Sequence, residues 1–127
     1  MTVREPIHTS DAPPPAGSYS QGIRYGGLVW IAGQTPRTTA GVRLNDSPFE
    51  EQARQALRNT EGVASAAGTS LAHAVSVTVY LRDPERRFEF DEVWQEFVTT
   101  PHPARAIVQS DLPGFDIEIS AICAIPG

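Results

Sequence analysis

Phe115-Asp116-Ile117-Glu118-Ile119-Ser120-Ala121-Ile122-Cys123-Ala124-Ile125, close to the C-terminus, is the stretch on which the fold turns. A strand's period of two puts Ile117, Ile119, Ala121, Cys123 and Ile125 on one face and Asp116, Glu118, Ser120, Ile122 and Ala124 on the other. The first face is apolar, and the second is mixed rather than polar. Working outward, Leu28-Val29-Trp30-Ile31-Ala32 is apolar at every position, so both faces of that strand also need cover. A sheet built from such strands is buried on one side and incompletely solvated on the other.

The remaining elements supply cover for one side only. Residues 21–25 and 28–32 flank Gly26-Gly27, the dipeptide that a two-residue antiparallel hairpin favours. Before them, residues 11–18 include three consecutive prolines and read as a leader loop. Residues 33–46 read as loop. Ser47-Pro48-Phe49-Glu50 has the elements of a capping box, with Ser47 as N-cap and Pro48 at the first helical position. The helix it opens carries Phe49, Ala53, Ala56, Leu57, Thr60, Val63, Ala64 and Ala67 at steps of three and four, and Gly68 stops it. Its opposite face, with Glu51, Arg54, Gln55, Arg58 and Glu61, reads as solvated surface.

Val75, Val77, Val79 and Leu81 alternate with Ser76, Thr78 and Tyr80 in a half-buried strand that ends at Asp83-Pro84. A second helix over about 86–98 places Phe90, Val93, Trp94 and Phe97 on one stripe as core, until Pro101 and Pro103 end it. Residues 105–109 and 115–125 form the last strands, separated by Leu112-Pro113-Gly114. The pattern predicts an α+β domain with a mixed sheet of about six strands and two helices on one face. The uncovered face calls for a partner, and self-association supplies one.

Length and composition narrow the function. At 127 residues the chain is one domain, with 1–18 as its leader. Its net charge is −5 and all ten cations are arginine, which excludes a lysine Schiff base and disfavours a nucleic-acid partner. One cysteine, Cys123, excludes an internal disulfide and fits a reducing compartment. No run approaches the roughly 18 apolar residues of a membrane span, and no signal pattern opens the chain, so the expectation is a cytoplasmic protein without a membrane partner.

His8, His73 and His102 lack metal-ligand spacing, and the nucleophile-elbow, Walker and dinucleotide motifs are missing. Cys123 reads as a core thiol, and His102 as a loop histidine. The informative pair is Arg105 and Glu118. Arg105 starts a strand after the stiff Pro103-Ala104 and offers a planar fork for a carboxylate, while Glu118 sits on the face that calls for a partner. On spacing alone, an ion pair between them or at a subunit contact has equal standing with a functional role.

Gly17-Ser18-Tyr19-Ser20-Gln21-Gly22, Ala32-Gly33-Gln34, the helical Glu51-Gln52-Ala53-Arg54-Gln55-Ala56-Leu57-Arg58-Asn59, Pro103-Ala104-Arg105 and Ile117-Glu118-Ile119 together resemble the RidA (YjgF/YER057c/UK114) family. The likeness runs from about Ala12 to Ile125. It implies a chorismate-mutase-like fold and a homotrimer whose sheets form a central barrel, with clefts between subunits. It further implies cofactor-independent hydrolysis of reactive 2-imino or enamino acids to 2-oxo acids and ammonia. By resemblance, Arg105 grips the substrate carboxylate and Glu118 positions the attacking water. Tyr19 closes the cleft from a neighbouring subunit, and Gly33, Ile107 and Asp91 lie at positions that contact substrate.

The chain departs from the family's frequent pattern in having Ala32 for serine, Ile107 for cysteine and Asp91 for asparagine. A backbone contact at Ile107 survives that change, and its side chain predicts a more apolar pocket. The resemblance leaves other readings: a dedicated pathway enamine deaminase, a non-catalytic trimer that binds small carboxylates or acts like a chaperone, and, more weakly, an endoribonuclease.

Overall fold

Gly26 has φ +62°, and the tight turn it permits joins two strands in antiparallel register, with Ile23 opposite Trp30. The computed structural model describes residues 3–127, so the first two residues of the expected leader lie outside the described residues. The elements are β1 (Glu5–Ile7), β2 (Gly22–Tyr25), β3 (Leu28–Gln34), α1 (Phe49–Ala66), β4 (Ala74–Leu81), α2 (Arg87–Trp94), β5 (Ala104–Gln109) and β6 (Ile117–Ala124). They form the α+β architecture expected: one six-stranded mixed sheet in the order β1-β2-β3-β6-β4-β5, with β4 and β5 parallel and every other pair antiparallel.

Register fixes which side chains share a face. Val29 lies opposite Cys123, Ile31 opposite Ala121, and Val79 opposite both Ile119 and Ile107. These positions face α1 and α2, and Val29, Val79, Ile119 and Cys123 are fully buried together with Ala53, Leu57, Val63 and Phe90. Burying that much apolar surface is the main force holding helices to sheet. The other face carries Trp30, Ser76, Thr78, Tyr80, Glu118, Ser120 and Ile122, and no element of the described chain covers it. Trp30 is 41% exposed there, and Val108 on the edge strand β5 is 42% exposed.

Several boundaries differ from the sequence expectation. Ser47 does not cap α1. Its N–H donates to the Leu44 carbonyl in the preceding turn, the N-cap position falls to Pro48, and no side chain caps the helix. The Pro48 carbonyl instead receives the Glu51 and Gln52 amides. Gly68 terminates the helix as expected, at φ +88°. The second helix is shorter than 86–98. A 3₁₀ turn, Pro84–Arg86, precedes it, and after Trp94 the chain tightens to i+3 bonding, with Phe97 N–H on the Trp94 carbonyl. Val75 is exposed, because the β4–β6 register shifts between Ala74 and Ser76 and turns it off the core face. β3 continues through Gly33 to Gln34 beyond a second irregularity, so the loop begins two residues later than 33.

Buried amides tie the loops to this frame. The Gln21 side chain accepts from Thr9 N–H at 2.8 Å and donates to the Thr9 and Pro13 carbonyls at 3.0 Å each, which anchors the proline-rich leader. On α1, the Asn59 Nδ2 donates to the carbonyls of Thr35 (3.2 Å) and Arg37 (2.7 Å). The Gln52 Nε2 donates to Ser47 O and to Asp116 Oδ2, and its Oε1 accepts from Asp116 N–H at 2.9 Å. Both amides are essentially fully buried and hydrogen-bonded, as a polar group in a core must be. Gly62 lets the leader cross α1, since a Cβ there would overlap the Asp11 carbonyl.

Candidate functional site: two half-sites on opposite faces of the sheet

Arg105 enters β5 level with Val77, a core residue of β4, so its side chain starts on the helix side of the sheet. At the sheet edge it lies over α2. The guanidinium carbon is 5.2 Å from the Trp94 ring centroid and 5.6 Å from that of Phe90, within cation–π range. Its Nη1 donates to Asp91 Oδ1 at 2.8 Å, and Gln95 Nε2 donates to the other Asp91 oxygen at 3.3 Å. Among the described residues no other acceptor engages the guanidinium, so its remaining N–H groups are available to a ligand. The Arg105 bond holds the Asp91 carboxyl below the ordinary aspartate range, against an opposing push from partial burial. Asp91, Trp94, Gln95 and Arg105, with Thr100 and His102, line a pocket of about 590 Å³.

The second half-site is on the open face. Glu118 is level with Tyr80 of β4, which in turn is level with Val108 of β5. Its carboxylate lies against Gly33, and any Cβ at that position would overlap it. A side chain at Gly33 would therefore displace the Glu118 carboxylate, the flexible end of that side chain, so the constraint there is space and not backbone conformation. Partial burial raises the Glu118 pKa above the ordinary glutamate value. Gly33 and Tyr19 line a smaller pocket of about 250 Å³. Tyr19 is 46% exposed, and its hydroxyl accepts from Ala16 N–H at 3.0 Å, which fixes the ring on the leader turn.

The structure therefore groups the sequence candidates in pairs. Arg105 and Asp91 are joined, as are Glu118 and Gly33, while Tyr19 shares a pocket with Gly33. Arg105 and Glu118 do not pair with each other. They occupy opposite faces of one sheet and cannot close on one small molecule within a single chain. The Ile107 side chain packs against the core and lines neither of these two pockets of the single chain.

Two features were missed from sequence. One is the Arg105–Asp91 pair, which needed the α2–β5 packing to be seen. The other is the loop after β3, where Arg37, Arg43 and Asn45 join Tyr19 and Gly33 around the smaller pocket. A Gly41 turn between two arginines was the signal available for it. Cys123 is buried, and its thiol is pushed up to about 11 by burial and, secondarily, by Glu61, so it is inert as a nucleophile. Among the described residues, His, Cys, Asp and Glu form no group of three able to hold a metal ion, and no helix is long and apolar enough to cross a membrane.

Residues 9–125 match the family model described as Endoribonuclease L-PSP. The chain belongs to this family, the RidA/YjgF proteins. A RutC family protein, y4sK, of Sinorhizobium fredii is 41% identical over 123 residues, covering 95% of this chain and 98% of the relative. The 2-iminobutanoate/2-iminopropanoate deaminase of Dermatophagoides farinae is 31% identical over 127 residues, covering 98% and 99%. Among solved structures, E. coli TdcF with bound serine superposes with a TM-score of 0.88 at 31% identity, covering 96% of this chain and 99% of that one. The RidA/YjgF fold is thus shared along nearly the whole chain.

Proposed function

We propose that this protein is a cofactor-independent imine/enamine deaminase that hydrolyses 2-imino acids to 2-oxo acids and ammonia, and that it does so as a homotrimer. One observation carries the reading: a carboxylate-binding fork and a carboxyl of raised pKa lie on opposite faces of the same sheet. Each half-site lacks what the other holds. Association through the open face, with its exposed Trp30 and the edge strand β5, brings the Arg105 pocket of one copy to the Tyr19, Gly33 and Glu118 of the next.

In the assembled cleft, Arg105 grips the substrate carboxylate through its remaining N–H groups, and the Ile107 backbone lies alongside. Glu118 accepts a proton from water as the water oxygen bonds to the imine carbon. Glu118 hands that proton to the imine nitrogen, giving the tetrahedral carbinolamine. It then takes the carbinolamine hydroxyl proton and passes it to the amino nitrogen as the C=O forms and the C–N bond breaks, so that ammonia and the 2-oxo acid leave. The imine carbon is already electrophilic, so orientation and charge placement suffice. Burial that raises the Glu118 pKa makes the carboxylate a stronger base.

The deaminase name of the mite relative supports this reaction, and the serine bound to TdcF supports a site for small amino-acid-like ligands. The bound serine also favours a second reading, a trimer that binds small carboxylates without turning them over. The family's endoribonuclease description is a third activity, and a net charge of −5 without lysine disfavours an RNA ligand.

The deciding experiment couples a threonine dehydratase to 2-oxobutanoate formation, with residual imine trapped by semicarbazide. Wild type is expected to accelerate imine decay and Arg105→Ala to abolish the acceleration. Imine decay no faster than in buffer would sink the enzymatic reading in favour of the binding one.

A further inference from the structure

Arg37 and Arg43 face each other. They form an isolated antiparallel bridge across the turn at Gly41, whose φ is +88°. Bridge partners project to the same side with Cβ atoms about 5 Å apart, and like charges so placed repel. Both side chains line the pocket that Tyr19 and Gly33 share, with Asn45 beside them. Among the described residues neither is ion-paired, which is true also of Arg4, Arg58 and Arg87, but of these five only Arg37 and Arg43 are set side by side in a pocket. Arg24, Arg54, Arg82, Arg86 and Arg105 each have a carboxylate within salt-bridge distance. Carboxylates are not scarce, since the chain has 15 acids for 10 arginines. The Arg37 side chain bonds only a backbone carbonyl, that of Pro14 at 3.2 Å.

The loop that presents the two arginines is held at both ends. Asn59 fixes the Thr35 and Arg37 carbonyls, and Gln52 fixes Ser47 and reaches Asn45 O at 3.4 Å. Two buried amides of α1 thus hold a repulsive pair in place before any ligand arrives, which lowers the entropic cost of binding an anion between them. About 250 Å³ suits a small group of a few heavy atoms rather than a nucleotide. Phe115 and Pro113 give the same pocket an apolar wall against which methylene groups can lie.

We propose that Arg37 and Arg43 form a second anion subsite beside Gly33, and that the 2-imino acid this chain takes carries a carboxylate at the end of its side chain. The choice of substrate rests on the deaminase reading; the anion subsite does not. Guanidinium–carboxylate bonding discriminates such a side chain from one ending in methyl, which loses both the charge and the hydrogen bonds.

The test compares binding of 2-oxoglutarate and 2-oxopentanoate, which differ in that terminal group, by calorimetry on the intact protein and on Arg43→Gln and Arg37→Gln. Wild type is expected to prefer 2-oxoglutarate by about tenfold or more. Each substitution should bring the ratio toward one. Arg43 is exposed, so its replacement leaves folding out of the question. Equal affinity in wild type, or a preference that survives both substitutions, overturns the subsite. Inorganic phosphate that binds as tightly as 2-oxoglutarate and erases the preference assigns the arginines to a free anion and overturns the substrate. A preference that persists in a protein without imine hydrolysis rejects only the reaction.

Discussion

On one side of β6, Ile117, Ile119, Ala121 and Cys123 are all buried; one residue along each time, Glu118, Ser120 and Ile122 stay half-open. The same strand thus serves two environments. On the helix side every position is filled by a neighbour within the chain, and chemistry is excluded: Cys123 is sealed, and its thiol is held protonated. On the open side a tryptophan, four hydroxyls and one carboxyl share a surface that the chain does not cover. Stability is concentrated on the first face, and on our reading function is concentrated on the second and at its edge.

The contrast is sharpest at Glu118. Replacing it with glutamine should lower kcat by about 10²- to 10⁴-fold, the usual loss when a general base is removed. Stability should change in the opposite direction. Because the native pKa is raised, the folded state holds the proton more tightly than the unfolded chain, so the favourable contribution is complete below the ordinary glutamate range and lost as pH rises through the raised value. Glu118→Gln is therefore expected to be more stable than wild type at neutral pH and to show no such gain in acid. Urea melts at several pH values, beside the coupled assay, check both halves, and a variant equally active at neutral pH would break the comparison.

Leu57→Ala probes the helix side. A fully buried leucine truncated to alanine should cost about 2–5 kcal/mol, measured by denaturant unfolding. Ile122→Arg on the open face should cost far less in a single chain, yet dissociate the proposed homotrimer, as read by sedimentation or light scattering. An Ile122→Arg protein that remains associated would show that the sheet face is not the interface.

Asp91→Asn is the smallest expected effect. The Asp91–Arg105 pair leaves the side chains 44% and 26% exposed, so solvent screening holds its contribution to folding within about 1 kcal/mol. The depressed Asp91 pKa makes that contribution present above the ordinary aspartate range and lost as pH falls through the lowered value. Releasing the fork from its carboxylate should strengthen 2-oxobutanoate binding about threefold to tenfold at low salt and less at high salt. Calorimetry at two ionic strengths reads this, and unchanged binding would mean that the pair does not restrain Arg105.

Much of the frame was legible because short-range rules act along the chain. Alternation in residues 75–81 and 117–125, the Gly26-Gly27 turn and the α1 stripe all encode local geometry, and the family motifs named most of the site candidates. Ser47 failed as a cap because the Leu44 carbonyl and the Gln52 side chain engage its backbone, and neither competitor is visible in a four-residue motif. Gln52 and Asn59 entered only as members of the helical family motif, assigned neither to the apolar stripe nor to the solvated face, and it is packing that buries them and lets them hold the loop that carries Arg37.

The order of residues by itself determined the elements, the apolar face of each, and the excess of apolar surface over what two helices can cover, since all three follow from side-chain period and composition. Only the packed chain decided that Arg105 finds Asp91, that Glu118 fills the space a side chain at Gly33 would take, and that the two arginines of the 35–45 loop meet. Those outcomes depend on strand register and on contacts between distant segments, and a one-residue change of register would send each of these side chains to the other face.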